Sequence, residues 1–263
     1  MYKFCLSHSH FKHIDSTGYI PVGLGDNKFP NSWLRDNTGQ NISDKNKYYD
    51  MYSFHYWLWK NYLDNFNDKT WIVFSTYRRF WKTEKQFSEN DNIKNKIIQS
   101  PPKLWEDYDA ILTEPTDMRK IKLSKLFKKG KKLIFKNPMI LFNKNLRNIK
   151  FHFDLMHYEG NLDRALKLVD SKERDEFTNF LNNSYQFNPW NLFCCKSKYL
   201  LEKWYESVFT WLNKCEKEFG FENLKGYETG RIYAYLAERY LPYWFKKYSK
   251  TTTWPIYFYD KYY

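Results

Sequence analysis

Aromatic residues occupy 56 of the 263 positions, as 23 Tyr, 22 Phe and 11 Trp, and this abundance constrains the fold more than any other feature. Disordered segments are poor in aromatic residues, because a chain that can bury large apolar side chains gains enough free energy to fold. With only 9 Gly and 9 Pro, the chain also differs from collagen-like and Pro/Gly-rich proteins. A folded chain of this length hides roughly 70–75% of its extended surface, so we expect a sizeable core.

The sequence predicts neither a membrane span nor a secretory leader. A transmembrane helix needs about 20 mostly apolar residues, and no such run is present. The N-terminal segment becomes polar within its first eight residues. Cys5, Cys194, Cys195 and Cys215 have no metal-binding or redox spacing, and neighbouring cysteines on a strand point to opposite faces. We therefore expect a soluble, cytoplasmic, globular protein.

Short apolar segments alternate with helical patterns, which predicts an α/β sheet with crossover connections. Strands are predicted at residues 2–7, 71–76, 108–113 and 185–195, the last with a turn near Pro189. Helices are predicted at residues 48–62, 84–99, from about 161, 171–182, 197–219 and 228–248. Ser171 and Ser197 are predicted N-caps, and Pro242 is a candidate kink in the last helix.

Basic residues exceed acidic ones by 13, and many of them lie in the stretch 119–136. Leu126, Phe127, Leu133 and Phe135 are interleaved with its lysines, a pattern that suits an amphipathic segment on an anionic membrane surface. A solvated connection without a partner is the alternative. Nucleic-acid binding is not expected, because the chain has no recognisable nucleic-acid module or Arg-rich face.

Motifs of the common enzyme classes are missing from the sequence. There is no P-loop, no glycine triplet of the dinucleotide-binding type and no serine hydrolase elbow. His8, His10 and His13 have no carboxylate or cysteine at metal-ligand spacing. A polar strand end is therefore a better interpretation of these histidines than a metal site.

Two polar segments remain as candidates for chemistry. The loop from Asp36 to Asn46, with the sequence DNTGQNISDKN, can bind sugar hydroxyls or cap the helix that follows it. Thr76, Tyr77, Arg78 and Arg79 end an apolar strand, and ligands of open α/β sheets gather beyond the carboxyl ends of the strands. Two arginines there can clamp a diphosphate, with a structural ion pair as the alternative.

In this order, the segments resemble a family of small bacterial glycosyltransferases of capsular polysaccharide and O-antigen synthesis, whose domain was long catalogued as one of unknown function. The matching segments run over nearly the whole chain and comprise Ser7-His8, Tyr19-Ile20-Pro21 with Gly25, Asp36 to Asn46, Tyr56 to Asn61, Thr76 to Arg79, Tyr108 to Leu112, His157, Asn191 to Phe193, and Arg231 with Leu236 to Arg239. The segment from 36 to 61 is the most specific.

The chain departs from the family pattern at three positions. Gln40 stands where the family usually has Asp, Thr76 where it has His, and Gly23 where it often has Gln. Acid–base roles therefore do not carry over to positions 40 and 76. The basic region 117–150 looks like an insertion.

The resemblance implies a single GT-A-like domain over residues 1–263, with a mixed, mostly parallel sheet flanked by helices and a long C-terminal helical portion. It further implies transfer of galactose, galactofuranose or an N-acetylated relative from a UDP-sugar to a capsular or O-antigen polysaccharide or lipid-linked acceptor. A non-catalytic protein that binds polysaccharide or a lipid-linked sugar is the alternative. Such an enzyme is expected in the cytoplasm, at the inner face of the membrane.

The resemblance and the residue types together suggest three groups of site residues. The candidate base is Asp36, with Asp154 and Glu228 as alternatives. The candidate donor-binding residues are Ser7, His8, Thr38, Gly39, Asn41, Lys45, Asn46, Tyr77, Arg78 and Arg79, and the candidate acceptor-binding residues are His157 and Asn191. Many GT-A enzymes hold Mn²⁺ or Mg²⁺ with an Asp-x-Asp motif. Here Asp107-Tyr-Asp109 precedes a strand and is better interpreted as a turn, so we expect no metal and assign its electrostatic role to the two arginines.

Overall fold

The computed structural model describes residues 1–260, and its strands are short apolar segments separated by polar loops. The last three residues of the predicted 1–263 domain lie outside this part. The strands are β1 (Tyr2–Ser7), β2 (Ile20–Gly23), β3 (Leu34–Arg35), β4 (Ile72–Thr76), β5 (Arg79–Trp81), β6 (Ala110–Thr113), β7 (Thr116–Asp117), β8 (Gln186–Phe187), β9 (Phe193–Cys195), β10 (Thr251–Trp254) and β11 (Ile256–Phe258).

Helices follow the strands and cover the sheet. They are α1 (Lys12–Asp15), α2 (Asn46–Tyr49), α3 (Tyr52–Asn61), α4 (Ile93–Lys96), α5 (Leu123–Lys129), α6 (Lys131–Lys136), α7 (Ile149–His157), α8 (Asn161–Leu166), α9 (Ser171–Asn183), α10 (Lys198–Phe219), α11 (Gly226–Thr229) and α12 (Ile232–Tyr248). None of the helices within residues 1–260 is both long enough and apolar enough to cross a membrane.

The main sheet has the strand order β10-β6-β9-β4-β1-β2-β3. Along this path, neighbouring strands are parallel except on both sides of β9, which runs antiparallel to β4 and β6. The strands β5 and β11 join the same sheet beside β4 through antiparallel pairs. The predicted α/β class with a mixed, mostly parallel sheet is therefore confirmed. Because the parallel strands share one direction, β1, β2, β4 and β6 all end at the same edge, at Ser7, Gly23, Thr76 and Thr113.

Aromatic rings fill the core between this sheet and α3. Phe4 on β1 packs against Phe54 of α3 and Phe74 of β4, with ring centroids 5.3 and 5.9 Å apart. Phe193 of β9 continues the row at 4.9 Å from Phe74. Burial of each such side chain contributes roughly 1.5–3 kcal/mol, so this row joins α3 and three strands into one unit. The many aromatic residues of the sequence thus lie largely in the core.

The C-terminal helical portion is also held by aromatic packing. Trp204 of α10 is fully buried against Tyr240 and Trp244 of α12, with centroids 5.7 and 5.4 Å apart. Ser197 caps α10 as predicted, because its hydroxyl accepts a hydrogen bond from Leu200 N. α12 continues through Pro242 as a single helix.

Several predicted boundaries are wrong. The helix predicted at 84–99 shrinks to the four residues of α4, and Ile97 instead pairs in extended form with Lys82. The strand predicted at 185–195 is two short strands around a loop in which Trp190 and Asn191 have positive φ. The helix predicted at 48–62 is interrupted at Asp50, which also has positive φ.

One other element differs from the prediction by one position, and several were not predicted at all. The N-cap of α9 is Asp170, because its carboxylate accepts the hydrogen bond from Lys172 N, rather than Ser171. The strands β2, β10 and β11 and the helix α7 have no counterpart among the predicted elements. β10 and β11 are held at their places by pairing with β6 and β5, contacts that no local pattern contains.

The basic region 117–150 folds into short helical segments with a small core of their own. Leu126, Ile140, Phe151 and Leu155 are buried together there, separately from the main core. Arg147 is almost fully buried and donates hydrogen bonds to the backbone carbonyls of this region, including that of Ile140 at 3.0 Å. The basic region is therefore folded and packs against α7.

Candidate functional site

A cleft of about 250 Å³ opens at the sheet edge where β1 and β4 end. Loop residues that follow the strands line one side, and α12 with the residue before it lines the other. The charged or titratable side chains among its lining residues, apart from tyrosines, are His8, Asp50, Arg78, Arg79, Arg231 and Glu238. Three arginines thus meet two carboxylates in a space large enough for part of a polar ligand.

Asp50 lies between two basic partners in this cleft. Its Oδ1 is 2.6 Å from His8 Nε2, and its Oδ2 accepts a hydrogen bond from Arg231 Nη1 at 3.1 Å. Burial opposes ionisation of this carboxyl, but the bond to His8 and the charge of Arg231 outweigh it and lower its pKa. Asp50 is therefore a carboxylate at neutral pH, and 25% of its side chain remains exposed to the cleft.

The backbone at Asp50 is strained and is held by its neighbours. Its φ is +51°, a region that costs non-glycine residues about 1–3 kcal/mol. The Asp50 carbonyl oxygen accepts a hydrogen bond from Asn46 Nδ2 at 2.9 Å and, at 3.0 Å from Ser53 Oγ, shares the single Ser53 hydroxyl proton with the Asp36 carboxylate. These bonds fix the break between α2 and α3 that turns Asp50 toward the cleft.

Asp36 lies beneath this break and not in the cleft. It is fully buried, its Oδ1 accepts from Gly25 N at 2.9 Å, and its Oδ2 accepts from Ser53 Oγ at 2.6 Å. Burial raises the pKa of Asp36, although these two hydrogen bonds oppose the rise. A carboxylate in this position cannot reach an acceptor in the cleft, so the structure does not support Asp36 as the base.

The rest of the polar loop is also placed away from the cleft. Thr38 Oγ1 accepts a hydrogen bond from the indole of Trp57 at 2.9 Å. Gly39 has φ +54°, and a Cβ there would lie 2.2 Å from Asn61 Oδ1, so only glycine fits. Both residues fasten the loop to α3.

Asn41 and Lys45 complete this attachment. Asn41 Oδ1 accepts hydrogen bonds from the backbone N and the hydroxyl of Ser43, where the next turn begins. Lys45 Nζ forms an ion pair with Glu216 of α10 at 2.7 Å. The loop is therefore held by contacts with α3 and α10, and no side chain within residues 1–260 caps the turn at 43–45, α2 or α3.

The end of β4 faces the cleft as the sequence predicts. Arg79 lies with its guanidinium carbon 5.3 Å from the ring centre of Trp190. Burial and the neighbouring Arg78 lower its pKa. Its Nε and the Thr76 hydroxyl are buried and have no hydrogen-bond partner among the described residues. Arg79 and Thr76 thus contribute polar side chains to this wall, with these two atoms enclosed in it.

Two neighbours at the sheet edge are placed by local contacts. Tyr77 lines the cleft and its ring stacks on Phe11, with centroids 4.7 Å apart and planes 11° apart. Ser7 is fully buried, and its hydroxyl donates to the Ser9 carbonyl at 2.5 Å rather than facing the cleft. His8, the next residue, does face it.

The loop before β9 also lines the cleft, and Glu238 fixes its backbone. Trp190 and Asn191 have φ of +76° and +56°, and the Trp190 N–H donates to Glu238 Oε1 at 2.6 Å. The other Glu238 oxygen pairs with the buried Arg239. Asn191 accepts from Tyr52 and donates to the Ala234 carbonyl. Asn191 therefore lines the cleft with its amide already engaged.

Asp154 and Glu228 line a separate pocket of about 350 Å³ beside the basic region. Asp154 pairs with Lys150 at 2.9 Å, and Glu228 pairs with Lys129 at 3.3 Å. Burial raises the pKa of Asp154, whereas a backbone hydrogen bond and Lys129 lower that of Glu228. Neither residue lines the cleft, so the structure supports neither as a base that acts there.

His157 is buried between the two sites. Its ring stacks on Tyr235, with centroids 3.9 Å apart, and its Nδ1 is 2.9 Å from the Glu228 carbonyl oxygen. Burial lowers its pKa to about 3, so it is neutral at physiological pH. Tyr235 lines the cleft, and His157 reaches an acceptor there only through that ring.

Five of the predicted site residues thus line the cleft, whereas three of its charged residues were not predicted. His8, Tyr77, Arg78, Arg79 and Asn191 line it as predicted. The missed residues are Asp50, Arg231 and Glu238. Arg231 and Glu238 were part of the closing family motif, and Asp50 follows the polar loop directly. Residues 1–260 contain no group of three or more His, Cys, Asp or Glu arranged to hold a metal ion.

Comparison with known proteins agrees with this fold. The model of a family described as a domain of unknown function, DUF4422, matches residues 4–250. The apo structure of the bifunctional glycosyltransferase WbbM superimposes with a TM-score of 0.67 at 19% identity, over 99% of this chain and 45% of that one. The chain therefore shares a GT-A-like fold with WbbM and spans less than half of its length. No curated protein matches the sequence.

The contact between Ser53 and the buried Asp36 predicts that Ser53→Ala lowers the unfolding free energy by an amount that depends on pH. The variant removes the hydroxyl bond to Asp36, which we expect to cost about 1–3 kcal/mol of unfolding free energy. Loss of that bond also raises the already raised folded-state pKa of Asp36 further. The folded variant then binds more protons than the folded wild type. Its unfolding free energy therefore falls further below that of the wild type as pH rises from mildly acidic to neutral.

Urea unfolding of both proteins across this pH range measures the effect. Ser249→Ala is the matched control, because its hydroxyl donates to the Phe245 carbonyl and to no carboxylate. If the loss of unfolding free energy in Ser53→Ala stayed constant with pH, it would contradict a hydrogen bond between Ser53 and the Asp36 carboxylate.

Proposed function

The chain belongs to the DUF4422 family, and on this basis we propose that it is a glycosyltransferase that uses a nucleotide-diphospho-sugar donor. The observation that carries the proposal is the cleft in which Arg78, Arg79 and Arg231 converge at the carboxyl edge of the sheet. This edge is where open α/β folds bind ligands. The fold shared with the glycosyltransferase WbbM supports the same reading.

The arginines supply what the leaving group needs. When the sugar leaves its donor, negative charge builds on the diphosphate, and fixed cations lower the energy of that transition state. Guanidinium groups match phosphate oxygens in pairs of hydrogen bonds. Arg79 and Thr76 line the cleft, so a guanidinium group and a hydroxyl side chain border the space that the diphosphate would occupy.

The sugar would lie against the aromatic side of the cleft. Trp190, Tyr227 and Tyr235 line it there, and ligand sites combine aromatic walls with a few placed polar groups. The family resemblance favours UDP-galactose, UDP-galactofuranose or an N-acetylated relative as donor. It favours a growing capsular or O-antigen chain on a lipid as acceptor.

Asp50 is the carboxylate we assign to the acceptor. In an inverting transfer, the acceptor hydroxyl gives its proton to a base while its oxygen bonds to the anomeric carbon and the carbon–oxygen bond to the diphosphate breaks. Asp50 is ionised and partly exposed, and its bonds to His8 and Arg231 fix its position. Each of its oxygens keeps a lone pair for the acceptor hydroxyl.

Replacement of Arg79 by Ala tests the diphosphate site. We expect kcat/KM for donor turnover to fall about 30- to 1000-fold, equivalent to about 2–4 kcal/mol of transition-state stabilisation. Release of UDP from a panel of UDP-sugars is the measurement, with and without acceptor. Arg164→Ala is the matched control, because Arg164 pairs with Glu218 outside the cleft. Near-normal turnover by a folded Arg79→Ala protein would refute the site.

Replacement of Asp50 by Asn tests the base. Asn keeps the shape and tolerates positive φ, so the fold should survive while kcat falls roughly 100- to 10,000-fold. Asp64→Asn, at a fully exposed position, should leave kcat unchanged. A variant with wild-type kcat would exclude Asp50 as the base. Donor binding by the wild type without any turnover would instead indicate the non-catalytic binding protein.

We also propose that the three arginines take the place of a divalent cation on the diphosphate. Turnover should then be the same in EDTA and after addition of Mn²⁺ or Mg²⁺. Loss of activity in EDTA that either ion restores would contradict this assignment, and Zn²⁺-treated protein would control for non-specific effects of added metal.

A further inference from the structure

Five large apolar side chains of the basic region point into solvent. Phe135 is 89% exposed and Phe142 80%, and Leu123, Phe127 and Met139 are more than half exposed. Soluble surfaces carry scattered apolar residues, but a concentration of this kind within twenty residues marks an interaction site. We call these five residues the exposed apolar set.

The exposed apolar set belongs to an ordered segment. On α5, Leu126 is fully buried in the small second core, while Phe127 points outward. On α6, Leu133 and Ile134 pack against that core, while Phe135 points outward. Of the four apolar residues that the sequence suggested for a membrane, Leu126 and Leu133 therefore face the protein and the two phenylalanines face solvent.

The segment that carries the exposed apolar set is also strongly basic. Between Asp117 and Asp154 the chain has twelve Lys and Arg and no Asp or Glu. Lys129 and Lys136 are paired with Glu228 and Glu159. Other exposed lysines of the region form no ion pair with the described residues, namely Lys120, Lys122, Lys128, Lys131 and Lys132.

We propose that residues 119–142 form a docking surface for an anionic phospholipid bilayer. The phenylalanines would enter the boundary between headgroups and acyl chains, and the lysines would lie at the lipid phosphates. A nucleic acid would use the lysines but leave the phenylalanines in water. A second copy of the chain would bring two surfaces of the same charge together. Only an anionic, partly apolar partner matches both features.

The surface adjoins the cleft. Lys129 of α5 pairs with Glu228, and the preceding residue, Tyr227, lines the cleft. Docking would therefore present the cleft to molecules carried in the same membrane, a consequence that rests on the proposed transferase function. The docking itself does not depend on that function.

Co-sedimentation of the full chain with vesicles tests the proposal. We expect binding to vesicles of equal parts phosphatidylcholine and phosphatidylglycerol, little binding to pure phosphatidylcholine, and weaker binding as salt rises. The double variant Phe135→Ser/Phe142→Ser should bind at least about tenfold more weakly, since it removes the inserted side chains. Lys131→Gln/Lys132→Gln should lose a similar factor, since each lysine near an anionic surface contributes about 1 kcal/mol.

Matched controls lie on other surfaces. Leu104→Ser removes another exposed apolar side chain, and Lys103→Gln/Lys172→Gln removes two exposed lysines. Both should bind like wild type. Equal binding to neutral and anionic vesicles, or unchanged binding by either test variant, would overturn the proposal. So would a dimer that Phe135→Ser/Phe142→Ser dissociates without any vesicle binding. Donor hydrolysis in solution is independent of this outcome and reports separately on the transferase.

Discussion

The cleft depends on the strained backbone at Asp50. A positive φ at this residue ends α2, begins α3 and turns a carboxylate toward His8 and Arg231. That conformation persists because Asn46 and Ser53 bind its carbonyl oxygen and Asp36 binds Ser53 from below. Strain of this kind survives only where the surrounding structure over-determines it. The polar loop therefore contributes to the site through the geometry it imposes on a residue outside it.

The sequence could predict the sheet edge because strand direction is a local property. An apolar run that ends in Tyr77-Arg78-Arg79 places its last residues beyond the carboxyl end of β4, and β1 places His8 beside them by parallel pairing. The sequence also identified the loop 36–46 as a polar candidate segment, but it left open whether the loop binds sugar hydroxyls or caps the helix that follows. Short polar side chains bind backbone groups and sugar hydroxyls with the same atoms. Only the packing of the loop on α3 and α10 separates these uses.

The remaining residues of the site could not be predicted because they meet through tertiary structure. Arg231 lies 181 positions from Asp50, and no periodicity connects them. Glu238 faces the cleft because α12 packs on α10 through Trp204, a contact set by the whole core. Asp154 and Glu228, the alternative bases chosen from sequence, lie in a separate pocket outside the cleft. Their partners turned out to be Lys150 and Lys129 of the basic region.

The basic region and the cleft are joined by a single turn of helix, α11. Gly230 packs so closely there that an added Cβ would lie 2.4 Å from the Gly226 carbonyl oxygen, which leaves little room for α11 to change shape. Tyr227 of this turn lines the cleft, while its neighbour Glu228 holds Lys129 and, through its carbonyl, His157. Because His157 is neutral and stacked on Tyr235, this link consists of packed rings and hydrogen bonds, with one ion pair at its surface. The lysine-rich surface and the aromatic wall of the cleft are therefore linked by continuous contacts through Glu228, His157 and Tyr235.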